Sequence, residues 1–371
     1  MVDSGLLFLD DWRELDASAT TLFRRDFRAD GTVAWFAALS ATTLEPDERL
    51  RIALLYQHGQ AVACLPLVAR LGRWGHRLRG LSAPYTCRFS APLGDPDTAR
   101  HFGRALGALA TDILRLDALD DDPPSRALID GLGERGWAVR AHFHFANRHA
   151  VVDDWTAYWQ AMPSALRHTI ERKRRRLIRD DRLRIEIVRD GPALTAATAA
   201  YLAVYRDSWK PPEPHPGFIP ALIRAAAADR TLRLGVASID ETPAAAQIWL
   251  VAGHRATIFK LAHRPAFDAT SIGSVLTAAM LQAAIEQDGV RSIDFGRGDD
   301  AYKSLWLPER RPRIGVTAAN PRRLFGLAHA ARHVWAPALR HRAASDREAS
   351  EDAAPAIHPT ACPPARAAGG S

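Results

Sequence analysis

The sequence contains few of the residues that build covalent or metal-bound frameworks. Its 371 residues include three cysteines, which lie far apart and leave one unpaired in any disulfide scheme: Cys64, Cys87 and Cys362. Their spacing matches no metal-ligand motif, so we expect neither a disulfide scaffold nor a metal site. Such sparse use of cysteine is typical of a protein from a reducing compartment.

Long apolar runs are also absent. No stretch of about 20 residues is apolar enough to span a bilayer. The first ten residues lack a basic segment and have an apolar run of only four residues before Asp10, unlike a secretory signal peptide. Neither Gly-x-Ser-x-Gly nor a glycine-rich phosphate loop ending in Lys-Ser/Thr occurs, which disfavours serine hydrolases and P-loop enzymes. We therefore expect a soluble, cytoplasmic protein of another class.

Lysine is scarce. The sequence has four lysines among 49 basic residues: Lys173, Lys210, Lys260 and Lys303. A GC-rich genome explains most of this bias, yet a retained lysine also indicates a position that favours a compact ammonium over a planar guanidinium. Lys260 falls within a predicted strand, where we expect it to point to solvent or to snorkel toward it.

The residues that are present are typical of a folded protein. Hydrophobic residues make up 47% and charged residues 25% of the chain, which excludes a wholly disordered class. The net charge of +7 permits an acidic partner without requiring one. At about 150 residues per domain, the length predicts two domains, which we place at 1–150 and 151–342. Residues 343–371 are rich in alanine, proline and charge, and we expect a disordered tail.

Hydrophobic periodicity predicts a mixture of helices and strands in the first half. Residues 33–40 and 105–115 have a helical pattern, whereas 50–56 and 61–68 are typical of strands. Residues 117–124 are acidic and contain proline, which predicts a loop.

The pattern in the second half is more regular. Helices are predicted at 155–162, 164–179, 194–209, 218–227, 271–287 and 321–335, and strands at 183–189, 232–239, 244–252, 256–262, 290–295 and 313–318. The helix at 164–179 carries five consecutive cations from Arg172 to Arg176. We interpret them as a solvated face or as a contact for a polyanion.

One stretch of the second half resembles a known family. Strand 290–295 ends in Asp294-Phe295 and is followed by Gly296, Gly298, Asp299-Asp300, Tyr302-Lys303 and Trp306. This order resembles the CelD/BcsL-type acetyltransferases associated with cellulose and exopolysaccharide synthesis, within the GNAT superfamily and related to the FemAB transferases. Ser208-Trp209-Lys210 and the basic helix resemble further elements of that family.

The resemblance implies a fold, an activity and a site. The fold is α/β (α+β), with tandem GNAT-like acyltransferase domains whose mixed central sheets are flanked by helices. The activity is transfer of an acyl group from acetyl-CoA or another acyl-CoA to an amine or hydroxyl of a sugar, lipid-linked intermediate or related metabolite. The catalytic candidates are Asp294, Tyr302 and Lys303, and the substrate-binding candidates are Trp209, Lys210, Asp299 and Trp306.

Each catalytic candidate has a chemical rationale and a structural alternative. Asp294 would position or deprotonate the acceptor at the carboxyl end of a strand, or would cap the turn before Gly296. The phenol of Tyr302 would protonate a departing thiolate, or would pack as a core ring with a hydrogen-bonded tip. Lys303 and Lys210 would pair with a phosphate or carboxylate, or would hold Asp294.

The predicted donor site differs from the superfamily's usual pattern. The superfamily's phosphate loop is Gln/Arg-x-x-Gly-x-Gly/Ala, whereas this chain has Thr270-Ser271-Ile-Gly273-Ser274 at the same helix start. Free N–H groups there would bind a pyrophosphate, or the serine and threonine would only cap the helix. FemAB relatives use aminoacyl-tRNA instead, in which case the basic helix would bind RNA. A third hypothesis is a non-catalytic scaffold in polysaccharide assembly; the oligomeric state is left open.

Overall fold

A mixed β-sheet of twelve strands runs through the part of the chain that the computed structural model describes, residues 4–25, 28–72 and 75–337. The predicted tail from residue 343 lies outside the described residues. The first half forms, in chain order, β1 (Gly5–Leu9), α1 (Ala17–Arg25), α2 (Val33–Thr43), β2 (Glu48–Gln57), β3 (Gln60–Gly72), β4 (Gly75–Gly80), α3 (Pro96–Gly107), β5 (Ile113–Asp120), α4 (Pro123–Glu134) and β6 (Ala138–Val151).

The second half supplies the other six strands and most of the helices that cover them. In chain order it forms α5 (Trp155–Ala161), α6 (Ser164–Arg179), β7 (Leu183–Val188), α7 (Ala193–Arg206), α8 (Phe218–Ala228), β8 (Leu232–Ile239), β9 (Thr242–Ala252), β10 (Arg255–His263), α9 (Ile272–Glu286), β11 (Ser292–Asp294), α10 (Ala301–Ser304), β12 (Glu309–Ala319) and α11 (Leu324–Ala330). The predicted α/β class, with mixed strands flanked by helices, is confirmed.

The order of the strands joins the two halves of the chain. The sheet runs β1-β2-β3-β4-β5-β12-β6-β11-β10-β9-β8-β7, so the last strand in sequence lies between β5 and β6 of the first half. The pairs β4–β5 and β10–β11 are parallel, and the other neighbours are antiparallel. Because β6 pairs with both β12 and β11, it connects the strands of one half to those of the other.

Aromatic packing ties the helices of both halves to the same side of the sheet. Trp35 on α2 lies edge-to-face on Phe218 of α8 and on Phe259 of β10, with both centroid distances 5.6 Å. Phe218 also stacks on Tyr85 at 4.3 Å. Such pairs stabilise a core beyond the area they bury. The loop that carries Tyr85 is therefore held against the second half.

The prediction of a helix at 105–115 is wrong, and so is that of a loop at 117–124. Helix α3 ends at Gly107, and residues 113–120 form β5, which lies inside the sheet between β4 and β12. Helix α4 then begins directly at Pro123, capped by the side chain of Asp122. Leu114, Leu116 and Leu119 are buried there, because burial between two neighbours overrides the local helical pattern.

Helices α3 and α4 pack so closely that glycine is required at their contact. A Cβ on Gly131 would lie 2.2 Å from the carbonyl oxygen of Arg100, and one on Gly103 would lie 2.2 Å from that of Leu128. Gly133, two residues along the same helix, faces open space. Gly131 and Gly133 therefore form a matched pair for substitution, one at the helix contact and the other facing open space.

We expect Gly131→Ala to lower the free energy of unfolding by about 1–3 kcal/mol, because the methyl group forces the helices apart. Gly133→Ala should raise it by up to about 1 kcal/mol, since alanine is the better helix former. Urea unfolding followed by circular dichroism measures both. Equal effects of the two substitutions would contradict the close helix contact.

Candidate active site

The two parallel strands β10 and β11 separate after a short pairing. Their register pairs Arg255 with Ser292 and ends where Thr257 meets Asp294, while β10 continues to His263. A bulge between Ile258 and Lys260 marks the same point on β10. A cleft therefore opens between the carboxyl ends of two neighbouring parallel strands, which is where open α/β sheets bind ligands.

The turn that takes the chain away from β10 depends on glycine. Gly296 has φ +64°, and a Cβ there would lie 2.9 Å from the carbonyl oxygen of Ile258. Both the left-handed backbone and the close approach exclude a side chain at this position. Gly296 thus forms the narrow end of the cleft.

Helix α9 connects the same two strands and starts at the wide end of the cleft. Buried Gln247 holds this start, because its amide donates to the carbonyl oxygen of Gly273 at 3.2 Å and to the hydroxyl of Thr277 at 2.7 Å. The hydroxyl of Thr270 donates to the carbonyl of Phe267, and Ser271 makes no capping hydrogen bond through its side chain. The first N–H groups of a helix lack intrahelical partners, and neither predicted cap occupies them here.

A cavity of about 260 Å³ lies beside the narrow end of the cleft, and three of the four lysines of the sequence line it. Lys210, Lys260 and Lys303 line it, together with the aromatic rings of Tyr85, Phe259, Phe295 and Tyr302. We call it the lysine cavity. Sequence reasoning singled out Lys210 and Lys303, and the structure brings these two together.

Lys303 is almost fully buried at the base of the turn. Its side-chain nitrogen donates to the carbonyl oxygen of Arg297 at 2.7 Å and to that of Gly298 at 3.3 Å, and it pairs with the carboxylate of Asp300 at 3.1 Å. It also lies 5.6 Å from the centre of the Phe295 ring. Lys303 therefore fixes the shape of the turn and places a positive charge at the cavity wall.

Lys260 does not point to solvent, and that expectation is wrong. Its nitrogen pairs with Glu213 at 2.8 Å and lies over the rings of Tyr85 and Tyr205, at 5.0 and 5.4 Å from their centres. The bulge in β10 explains the difference, because it breaks the alternation of side chains that the sequence pattern assumes. Tyr85 and Glu213 are site residues that the sequence reasoning missed.

Lys210 differs from the other two lysines of the cavity. Among the described residues, its ammonium has no hydrogen bond or ion pair; it lies 5.7 Å from the centre of the exposed Trp209 ring. Burial lowers the pKa of Lys210 to about 8, and the charges of Lys260 and Lys303 act in the same direction. A substantial fraction of Lys210 is therefore neutral near pH 8.

Tyr302 presents its phenol at the mouth of the cavity. The residue is 43% exposed, and its ring packs edge-to-face on Phe295 at 5.6 Å. Burial of the ring raises the pKa of Tyr302, with the charge of Asp300 adding to the effect, so the hydroxyl keeps its proton at neutral pH. The exposed phenol is thus available as a proton donor.

Asp294 lies apart from the lysine cavity and lines a different one. Its carboxylate accepts the backbone N–H of Gly296 at 2.8 Å and the side-chain amide of Asn147 at 3.0 and 3.2 Å. Burial raises the pKa of Asp294 to about 7, against the effect of these hydrogen bonds. This geometry matches the alternative in which Asp294 caps the turn before Gly296.

The remaining candidates occupy three different surroundings. Asp299 pairs with Arg148 and Arg310 at the surface, and Trp306 is buried, with its carbonyl accepting from Tyr158. The ring of Trp209 packs on that of His263, with 4.5 Å between their centroids. Trp209 therefore lies between the lysine cavity and the start of α9. A Cβ on Gly273 would approach that same His263 ring to 3.1 Å.

Residues 164–304 match the family model described as an acetyltransferase (GNAT) domain. The match spans α6 to α10 and contains all three lysines of the lysine cavity, the start of α9 and Asp294. No curated protein matches the chain.

The chain is also similar to solved structures across both of its halves. FemX superposes with a TM-score of 0.52 at 11% identity, covering 79% of this chain and 96% of that one. A conserved protein of unknown function from Bacteroides thetaiotaomicron superposes with a TM-score of 0.52 at 10% identity, covering 85% of this chain and all (100%) of the other. At such identities the likeness shows the fold alone.

Two further properties concern the described residues only. None of their helices combines the length and apolar character that crossing a membrane demands. They also contain no group of three or more histidine, cysteine, aspartate or glutamate side chains placed to hold a metal ion.

The depressed pKa of Lys210 is directly measurable because the chain has so few lysines. After reductive ¹³C-methylation, we expect the resonance of Lys210 to titrate with a midpoint near 8. Lys210→Arg should remove that resonance and so assign it. A Lys210 midpoint at the ordinary lysine value of about 10.4 would contradict the buried, unpaired position described above.

Proposed function

We propose that this protein is an acyltransferase that moves an acyl group from acyl-CoA to an amine or hydroxyl of a small acceptor. The acceptor class we propose is a sugar, a lipid-linked intermediate or a related metabolite, in line with the resemblance to the CelD/BcsL type. The observation that carries the proposal is the cleft between β10 and β11, with the start of α9 at one end and the lysine cavity at the other.

The donor would occupy the wide end of the cleft. Backbone N–H groups from Ile272 to Ser274 and the dipole of α9 favour a pyrophosphate there. Gly273 keeps the approach open beside His263, where a larger side chain would crowd the ring. The pantetheine arm would then extend along the unpaired edge of β10 toward the lysine cavity.

The acyl transfer itself needs two proton movements. As the acceptor nitrogen or oxygen bonds to the thioester carbon, it loses a proton, which neutral Lys210 is suited to take. The carbon–sulfur bond then breaks, and Tyr302 donates its proton to the departing thiolate. The positive charges of Lys210, Lys260 and Lys303 favour the negative charge that develops on the carbonyl oxygen.

Asp294 has an indirect role in this proposal. Its carboxylate caps Gly296, and Gly296 fixes the separation of the two strands. Asp294 is therefore a positioning residue, as is Lys303 through its hydrogen bonds to the turn carbonyls of Arg297 and Gly298.

Helix α6 favours a second candidate function, transfer from an aminoacyl-tRNA. Arg174, Arg175 and Arg176 are exposed on one side of the cleft-bearing domain, and Arg174 and Arg175 line a groove with Trp155 and Trp159. The two tryptophan rings stack at 4.9 Å. Arginine beside aromatic rings is suited to single-stranded nucleic acid.

The two donors differ in how their binding depends on salt. We expect acetyl-CoA to bind in isothermal titration, and the combined change of Arg174, Arg175 and Arg176 to Gln to weaken it by about tenfold at most, or about 1.4 kcal/mol. If instead tRNA binds, its affinity should fall by roughly 0.7–0.9 log units per phosphate contact for each tenfold rise in salt. Loss of tRNA binding in the triple variant would favour the second function, and binding of neither donor would favour a scaffold.

The proposed acid and base are separable by kinetics. With acetyl-CoA and an amino-sugar acceptor that supports turnover, Tyr302→Phe and Lys210→Met should each lower kcat by about 10²–10⁴-fold, the usual contribution of proton transfer. Lys210→Arg keeps the charge but not the pKa near 8, so it should fail as well. Arg184→Gln, at an exposed position on β7, is the control with unchanged kcat. Wild-type kcat in both site variants would refute these roles.

A further inference from the structure

A second, smaller cavity lies on the sheet where Asp294 is located. It has a volume of about 60 Å³ and is lined by residues of β10, β11, β12 and the segments around Asp30 and Cys87. Five of the lining residues are arginines: Arg28, Arg88, Arg255, Arg311 and Arg313. Two lining residues, Asp30 and Asp294, carry carboxylates. We call it the arginine cavity.

Arg313 is the most deeply buried of these arginines, with 1% of its surface exposed. Its guanidinium contacts Asp120, which it shares with Arg88, and it lies 3.5 Å from Asp294. Its Nε atom is buried without a hydrogen-bond partner among the described residues. A buried guanidinium with an unused donor costs free energy unless a further acceptor reaches it.

Arg311 adds a second guanidinium to the lining of the cavity. It lies on the same strand, two residues before Arg313, and its contact among the described residues is the Nδ1 atom of His149, at 3.1 Å. Since side chains alternate along a strand, Arg311 and Arg313 face the same side of the sheet. Two guanidinium groups therefore converge on one small space.

The nearby carboxylates are already engaged. Asp294 accepts hydrogen bonds from Gly296 and Asn147, and Asp30 accepts one from Ser90 at 3.1 Å. Burial raises the pKa of both aspartates, which reduces the negative charge they supply. The unpaired Nε atom of Arg313 therefore lies near carboxylates that already accept other hydrogen bonds.

We propose that the arginine cavity binds a tetrahedral oxyanion, with Arg311 and Arg313 as its main ligands. One water needs roughly 10–15 Å³ of such space, so 60 Å³ takes about four water-sized groups, the size of a phosphate or sulfate and less than that of a sugar or nucleotide. Guanidinium forks match the oxygen geometry of these anions. This inference is independent of the proposed acyl transfer.

Inorganic phosphate is the probe that tests the site in the full-length protein. At a concentration roughly 100-fold above its Kd, phosphate should raise the Tm by several degrees over chloride at equal ionic strength. Arg311→Gln, at a half-buried position, should weaken phosphate binding at least about tenfold in isothermal titration. Arg184→Gln, exposed on β7 beside Glu186, should bind as the wild type does.

The source of the oxyanion is resolved by a phosphate monoester. If phenyl phosphate competes with inorganic phosphate, the site receives the phosphoryl group of a larger molecule; if it does not, the ligand is the free ion. The proposal is overturned if phosphate and chloride give the same Tm, or if Arg311→Gln and Arg184→Gln bind phosphate equally. Because neither readout involves acyl transfer, failure here leaves the proposed function standing.

Discussion

The pairing of β10 with β11 stops after three residues, at Thr257 and Asp294, and the candidate site is arranged around that stop. The bulge at Ile258 turns Lys260 into the lysine cavity, and Gly296 takes the other chain away at a distance that only glycine permits. Two parallel strands that separate leave backbone N–H and C=O groups without ladder partners. Such groups need a ligand or water as a hydrogen-bond partner. The backbone of the cleft therefore offers hydrogen-bonding groups in addition to those of the side chains.

The two cavities on either side of this turn differ in the charged groups that line them. The lysine cavity is lined by three lysines, of which Lys260 pairs with Glu213 and Lys303 with Asp300, whereas Lys210 has no carboxylate partner among the described residues. Its open mouth and aromatic walls suit a reacting group and its acceptor. The arginine cavity is smaller and holds permanently charged guanidiniums, which cannot exchange protons near neutral pH.

Local signals in the second half are strong, which is why its elements were predictable. Helix α6 has the predicted bounds 164–179, and the three antiparallel strands β8, β9 and β10 agree with prediction to within two residues. In the first half, β1, α1, β4 and most of α3 were missed. These elements are short, or begin at prolines that also occur in loops, and the sheet stabilises β4 and β5 through pairing with distant partners. Propensity carries no information about such partners.

The amino-acid sequence alone indicated the α/β class, the GNAT resemblance, the glycine turn after Asp294, and Lys210 and Lys303 as candidate site residues. Each of these follows from residues that are neighbours in the sequence or from the amino-acid composition. The fold brings Lys260, Tyr85 and Glu213 beside these two lysines and places Asp294 in another cavity, and neither result is visible in the sequence. The physical reason is that adjacent residues on a strand face opposite sides of a sheet, whereas a bulge and a strand crossover bring together residues that are far apart in the chain.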